Sequence, residues 1–388
     1  MLDVVRTIHP IGQGAFYTET LKADGREWNV VFDCGGTAGF VEKVVENYCK
    51  SLDPKQGKGR PEIDAVFISH FDDDHVNGLE TLFGKANVKR IFVPLLNDVD
   101  VWAISPSFVD RLGGPSRNLL YKSLLTSAVR NSESSLEWDG QSATVVKIEK
   151  RGVMPNEADG LYLAEEPGKT RSIASGALVR PFLKSPWIFK TFNYDNSSSQ
   201  RSAQLQDALK KRQITLSLSE IASRCSQQDY FGKVRDCYNS VRGSINGNSM
   251  VTYSGPTEES TSHMRTHSCC DYCAICCDWL YHFCEKAGCM YFGDYEAKGA
   301  RKWKQYADDF KNQIPLLFMQ QVPHHGSFYN YNLALNSEKK FNFISAGVDN
   351  RFHHPHRGVL NQLNGTGAPW VWIHEFSQPL RFGFNIWP

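Results

Sequence analysis

The chain has almost no net charge: across 388 residues, 43 Lys and Arg stand against 42 Asp and Glu, a formal balance of +1. That excludes bulk electrostatic attraction to nucleic acid or to a membrane surface, so any polyanion must be recognised locally. No run of about 18 apolar residues is present, which argues against a membrane-spanning helix. The opening MLDVVRTIHPIGQG lacks the basic flank and apolar centre of a secretion signal, and no internal repeat is found. A soluble, cytoplasmic protein with no membrane partner is expected, long enough to bury a sizeable core. Eleven cysteines are then better read as free thiols or metal ligands than as disulfides.

What the sequence does have is short β-rich runs alternating with amphipathic segments. EWNVVFDCGG (27–36), DAVFISH (64–70), VKRIFVP (88–94), GCMYFGD (288–294), LLFMQQVPHH (316–325), FNFISAG (341–347) and WVWIHEF (370–376) read as strands, most of them buried on both faces. Val41, Val44, Val45 and Tyr48 share one helical face. A second helical stretch, about 201–240, carries Leu205, Ala208, Leu209, Ile221 and Val234. The expected organisation is a single domain over 1–388, with a partly helical insertion at 100–245 and a Cys/His-rich hairpin insertion at 256–288. Several strands end in Asp or His: Asp33, His70, Asp294, and His324 with His325. Polar groups gathered at strand ends are how layered α/β proteins build sites.

The densest of these ends is SHFDDDH, 69–75, in which His70, Asp72, Asp74 and His75 alternate along a strand exit. Imidazole nitrogen and carboxylate oxygen are the donors that hold zinc or manganese, and a cation would compensate the desolvation of so much charge. Two sub-sites are readable, His70 with Asp72 and Asp74 with His75. Two ions a few ångströms apart polarise a phosphoryl oxygen and lower the pKa of a water between them. The plainer alternative is a solvated acidic turn capping a helix that begins near Val76, and Asp73 is assigned that capping role.

Read in order along the chain, these stretches resemble the metallo-β-lactamase fold superfamily, and within it the hydrolase domain of the competence protein ComEC and its free-standing soluble relatives. GQGAFY (12–17) and VVFDCGG (30–36) are similar to the family's opening hairpin and first motif, and SHFDDDHVNGL (69–79) to its HxDxDH variant. NGNSMVTY (246–253) resembles its Asn-rich strand start and YFGDYE (291–296) its GD motif. VPHHGS (322–327) resembles the double-histidine motif, and SAGVDNRFHHPH (345–356) the Asn-Arg-x-x-His-Pro signature. The resemblance implies a four-layer αββα sandwich. It implies two divalent ions, zinc or manganese, on His70, Asp72, Asp74, His75, Asp294 and His325, with Asp294 bridging. Asp74, His324 and His354 would act at the chemistry, the choice of ligand between His324 and His325 being open. Asp33, Asn246 and Asn248 would support the ligands, the asparagines standing where many members supply a histidine. Arg351 and Ser327 would meet substrate; Ser327 and Ser69 are read as backbone hydrogen-bonders rather than nucleophiles.

One segment departs from that pattern. Seven cysteines fall within 269–289, after His263 and His267. Cys270, Cys273 and Cys276 have zinc-knuckle spacing, and Cys284, Cys289 or His267 could complete an additional structural zinc site. The apolar neighbours Trp279, Leu280, Tyr281 and Phe283 equally suit buried thiols, and a redox-sensing or acylated cluster stays open. For substrate, the resemblance favours phosphodiesters, with DNA as the nucleic-acid partner and a protein partner in a multi-component system, such as phage defence, as a further reading. Lys298, Arg301, Lys302 and Lys304 beside Trp303 form a basic helix face that could meet phosphates or merely be solvated. A small-molecule phosphoesterase and an assembly module with a vestigial site are the alternatives.

Overall fold

A computed structural model of the chain describes all residues except 53–58, 99, 101–103, 105, 113–117, 130–134, 153–159, 167–170, 196–198, 216, 225–226, 242–247, 269–284 and 337–339. The described strands form a ten-stranded sheet, an eight-stranded sheet and one short pair. The first sheet contains β1 (Leu2–Ile8), β2 (Phe16–Ala23), β3 (Arg26–Cys34), β5 (Ala65–Phe67), β7 (Arg90–Pro94), β8 (Ser135–Trp138), β9 (Gln141–Ile148), β11 (Arg171–Ile173), β15 (Thr261–Ser268) and β20 (Leu380–Trp387). The second contains β10 (Leu161–Tyr162), β12 (Leu178–Arg180), β13 (Trp187–Asp195), β14 (Asn248–Pro256), β16 (Gly288–Tyr291), β17 (Leu317–Gln321), β18 (Phe341–Ser345) and β19 (Trp370–Ile373). The short pair is β4 (Glu62–Ile63) with β6 (Asn87–Val88).

Alternation along the strands feeds three apolar layers. Tyr17, Val30, Phe32, Phe67 and Phe92 of the first sheet meet Met250, Tyr291, Phe318 and Phe343 of the second. The opposite faces are covered by helices: α1 (Val41–Ser51) and α3 (Leu79–Lys85) lie over Val31, Val66 and Ile91, and the helices Ala300–Asp309 and Arg357–Thr366 cover Val251, Leu317 and Ile344. Helix, sheet, sheet, helix is the four-layer α/β sandwich expected from the sequence. The region 100–245 contributes α4 (Pro106–Leu112), α5 (Asn118–Ala128), α6 (Ser199–Lys211), α7 (Leu218–Ser223) and α8 (Gln228–Ser240), whose apolar faces extend the layer over the first sheet. No helix among the described residues is long and apolar enough to cross a membrane.

In β3, β5 and β7 the strands run parallel, Val31 beside Val66 and Val66 beside Ile91, and β16, β17 and β18 are likewise parallel. Their C-terminal ends therefore deliver side chains to common edges of the two sheets. Across the inter-sheet core, fully buried Arg6 of β1 pairs with Glu19 of β2 at 2.7 Å and donates to the carbonyls of Ala287 and Ser254.

His9 follows β1, buried, with Nε2 2.9 Å from Thr18 Oγ1 and its ring stacked on Phe16 at 4.5 Å. Burial, with Arg381 adding to it, pushes the imidazole down to about 3. A histidine depressed in the folded state binds its proton more readily when unfolded, so its contribution is complete above pH 6.5 and shrinks as the pH falls toward 3. At pH 4 the loss should reach about 3 kcal/mol. The stability of His9→Gln measured against pH should fall less steeply between pH 6 and 4 than that of the parent chain.

Candidate metal centre

The first wall of the site comes from β3 and the loop after β5. Asp33 ends β3 in a left-handed conformation (φ 51°), which aspartate tolerates better than most residues. One carboxylate oxygen accepts the Ser69 N–H at 2.7 Å; the other accepts the Ser69 hydroxyl at 2.8 Å and faces His75 Nδ1, also at 2.8 Å. Because the Ser69 proton goes to Asp33, its oxygen is left to accept from His70 Nδ1 at 2.9 Å. One carboxylate thereby sets the tautomers of both histidines and turns their Nε2 lone pairs into the cleft.

Two glycine-rich loops hold the next residues. Any Cβ on Gly14 or Gly35 would stand 2.3 Å from the Asp74 carbonyl oxygen, which accepts the Ala15 N–H at 3.1 Å. The short helix α2 (Asp73–Val76) then presents Asp74 and His75. Asp73 departs from its assigned capping role. The helix starts at Asp73, Asp72 occupies the cap without a side-chain cap hydrogen bond, and Asp73 is ion-paired with Arg111 of α4.

The second wall is the other sheet. After β16, the Phe292 and Gly293 N–H groups donate to Gln321 at 2.8 and 3.0 Å, and the Asp294 N–H donates to Ser249 Oγ at 3.2 Å. After β17, both His324 (φ 50°) and His325 (φ 54°) adopt the left-handed conformation, a strained pair of the kind that clusters at functional sites. His325 Nδ1 donates to the Ser345 carbonyl at 2.8 Å, so its Nε2 lone pair also faces inward.

Asp294 sits at the meeting point. Its Oδ1 lies 3.3 Å from His75 Nε2 and 3.6 Å from His325 Nε2; its Oδ2 lies 3.3 Å from His324 Nε2 and 3.6 Å from His70 Nε2. Asp74 approaches His325 Nε2 at 3.3 Å, and Asp72 approaches His70 Nε2 at 3.5 Å. His75 Nε2 and His325 Nε2 are 3.3 Å apart, two lone pairs face to face once their Nδ1 protons are assigned. Against burial and the neighbouring His75, Asp72 and Asp294 push the His70 imidazole up to about 9. Burial disfavours charge on Asp294, yet His324, His70, His75 and His325 hold its carboxyl well below the usual range. The cluster thus demands positive charge at its centre.

A divalent metal fits this donor set. His70, His75 and Asp294 have ligand atoms within 4.8 Å of one another, as do Asp74, His75 and His325. Among the described residues, buried His70 Nε2 and Asp294 Oδ1 have no hydrogen-bond partner. Imidazole and carboxylate together suit zinc or manganese.

The remaining expected residues fall in three places. His354 stands over the cleft, its ring centroid 5.5 Å from that of His324, on a loop that Asn350 ties down by accepting the His354 N–H at 2.9 Å. Burial and the His325 and His324 rings push its imidazole down to about 4, and its buried Nδ1 has no partner among the described residues. Arg351 is exposed and lies 4.8 Å over the Phe352 ring, which in turn stacks on His354. Ser327 is buried and its N–H closes the double-histidine turn onto the His324 carbonyl at 2.8 Å. Asn248 begins β14 opposite Asp195, Asn246 lies outside the described residues, and it is Ser249 that reaches Asp294. Of the cysteine cluster, 269–284 lie outside the described residues. His267 is on β15 opposite Phe382, and Cys289 is a core thiol on β16 that burial pushes up to about 12. Sequence reasoning missed Ser249, Gln321 and the Ser345 carbonyl; polar side chains within YFGD-bearing and neighbouring strands were the one available signal.

Residues 24–112 match the family model described as the metallo-beta-lactamase superfamily. The match takes in Asp33 and the 69–75 motif, and the αββα layers of the chain are those of that superfamily's fold. The matched segment and the donor set support a metal-dependent hydrolase. Among solved structures, the chain is similar to a crystal structure of a new diphosphatase from the PhnP family, at 9% identity over 99% of each chain with a TM-score of 0.37. A likeness so distant transfers neither substrate nor mechanism. No curated protein matches the sequence.

Proposed function

We propose that the chain is a metal-dependent phosphodiesterase that cleaves nucleic acid, with DNA as its substrate, at a two-ion centre akin to that of ComEC-type hydrolase domains. The observation that carries this reading is Asp294, whose two oxygens face separate histidine pairs, His75 with His325 and His70 with His324. Asp74, His75, His325 and Asp294 Oδ1 would hold one ion. His70, Asp72, His324 and Asp294 Oδ2 would hold the other, His324 standing in for the histidine that Asn246 and Asn248 do not supply. Each set pairs two imidazoles with two carboxylates, a donor mix that suits manganese as well as zinc.

Divalent ions there would polarise a phosphoryl oxygen and acidify a water. The rest belongs to the chain. Asp33, Ser69 and the Ser345 carbonyl keep each ligand's lone pair aimed inward, so little reorganisation is left for the reaction. His354, neutral at pH 7, enters as a hydrogen-bonding group beside the leaving oxygen. Arg351 at the rim is placed to meet a second phosphate of a polymer.

The test is cleavage of linear single-stranded, linear duplex and closed circular DNA by purified protein with Mn²⁺ or Zn²⁺, beside an Asp74→Ala/His75→Ala variant. Metal-dependent cutting reduced to background in the variant is expected, and cutting of the closed circle would establish endonuclease action. If the metal-loaded, folded protein leaves all three intact yet hydrolyses a chromogenic diester, the substrate is a small phosphodiester instead.

A further inference from the structure

We infer that exposed aromatic rings beside the metal centre form a stacking platform for unpaired nucleobases, so that a strand is held by its bases as well as by its phosphates; this rests on the nucleic-acid reading above. The rings stand on three loops, which follow β3, β18 and β19. The first two lead directly from the metal centre, one from Asp33 and the other from Ser345, whose carbonyl holds His325. Of the ten large apolar side chains exposed among the described residues, four are on these loops: Phe40, Val348, Phe352 and Phe376. Apolar groups gathered on a surface in this way mark a binding site.

Phe376 is 71% exposed and meets Phe40 edge to face, with 5.8 Å between ring centroids, and His374 at 6.1 Å. Phe352, 53% exposed, stacks on His354 at 5.9 Å, and the Arg351 guanidinium lies over its ring at 4.8 Å. His354 in turn lies 5.5 Å from His324. Planar groups therefore follow one another from the cleft outward: His324, His354, Phe352 and Arg351. Aromatic rings and guanidinium planes are the surfaces on which unpaired bases stack, and they accept any base because each has a π-face.

The loops are tied together. Thr37 Oγ1 accepts the Gln13 N–H at 3.0 Å, the Glu375 carboxylate accepts the Val348 N–H at 3.1 Å, and the Trp372 indole donates to the Ala346 carbonyl at 2.7 Å. Asn350 donates to the Gly347 carbonyl at 2.7 Å. Rings on so fixed a frame lose little freedom on binding. Charge points the same way. The chain carries a formal balance of +1, and on these loops the one arginine, Arg351, stands against Asp349 and Glu375. Phosphate attraction is therefore weak here, and stacking is the contact left to hold a strand. In a duplex the bases are already stacked on one another, so the platform favours single strands.

Equilibrium binding of a short fluorescent single-stranded oligonucleotide, the same backbone with abasic residues, and the matching duplex should be measured on the full chain carrying Asp74→Ala/His75→Ala, which prevents cleavage. The base-bearing strand should bind about tenfold or more tightly than either of the others. Phe352→Leu and Phe376→Leu keep the apolar bulk and remove the ring. Each should weaken the base-bearing strand severalfold and leave the abasic strand and the thermal midpoint unchanged. Raising salt from about 50 to 200 mM should weaken binding by less than about tenfold, because few cations take part. Equal binding of the base-bearing and abasic strands, or indifference to both leucine variants, overturns the proposal, while DNA cleavage by the parent chain would keep the nuclease reading. No binding of any strand together with no cleavage overturns both. A dimer in analytical ultracentrifugation that Phe376→Leu dissociates would assign the patch to a second copy of the chain and overturn the platform as well.

Discussion

Asp294→Asn is expected to lower the bound divalent metal per chain and to reduce hydrolysis by about 10³-fold or more, the scale seen when a preorganised charge is removed from an active site. The substitution keeps the shape and removes the charge. Four imidazoles surround this carboxylate within 3.6 Å, and none of the others can take its place between them. Asp72 and Asp74 each reach one side only. The backbone contacts that seat Asp294, to Ser249 and Asn330, involve its amide and carbonyl and survive the change, so the thermal midpoint serves as the control for folding. Full metal content and full activity in the variant would show that the two histidine pairs load independently of the carboxylate.

The second large effect lies far from the cleft. Arg6→Met should destabilise the chain by about 3–5 kcal/mol, because it strands a buried carboxylate, whereas Arg6→Met/Glu19→Leu should recover most of that loss. Glu19 depends on Arg6 more than on any neighbour: its oxygens accept from Arg6 Nε at 2.7 Å, Ser254 Oγ at 2.5 Å and the Tyr291 hydroxyl at 3.0 Å. Burial opposes the Arg6 charge, but Glu19 outweighs it and holds the guanidinium above its ordinary value. Trp187 and Phe384 flank the guanidinium at 5.7 and 5.6 Å, so no water replaces a lost partner cheaply. Denaturant midpoints of the single and double variants decide the matter; a single variant within about 1 kcal/mol of the parent would mean that the pair contributes no more than an exposed one.

Local chemistry was legible wherever consecutive residues carried it. The alternation of His70, Asp72 and Asp74 behind an apolar strand, the Gly293–Asp294 step and the paired His324 and His325 each announced a strand end with donors attached. Asp33 was legible as a support because an imidazole needs its second nitrogen held, and it does face His75 Nδ1 at 2.8 Å. Asp73 was misread because its partner, Arg111, lies 38 residues away on a helix whose packing no local pattern reveals. Asn246 and Asn248 drew attention as amides near a strand start, while it is the hydroxyl of Ser249, one residue on, that accepts the Asp294 N–H.

By itself the sequence determined which groups could bind a cation and that they would emerge at strand ends, since period-two alternation and the Gly and Pro punctuation are written residue by residue. Only the tertiary structure decided how they combine. The parallel ends of β3 and β5 bring Asp33 against His70 and His75, and the opposed sheet brings Asp294 between four rings. Such convergence depends on distances between residues hundreds of positions apart, and those are set by packing two sheets face to face, not by any neighbour along the chain.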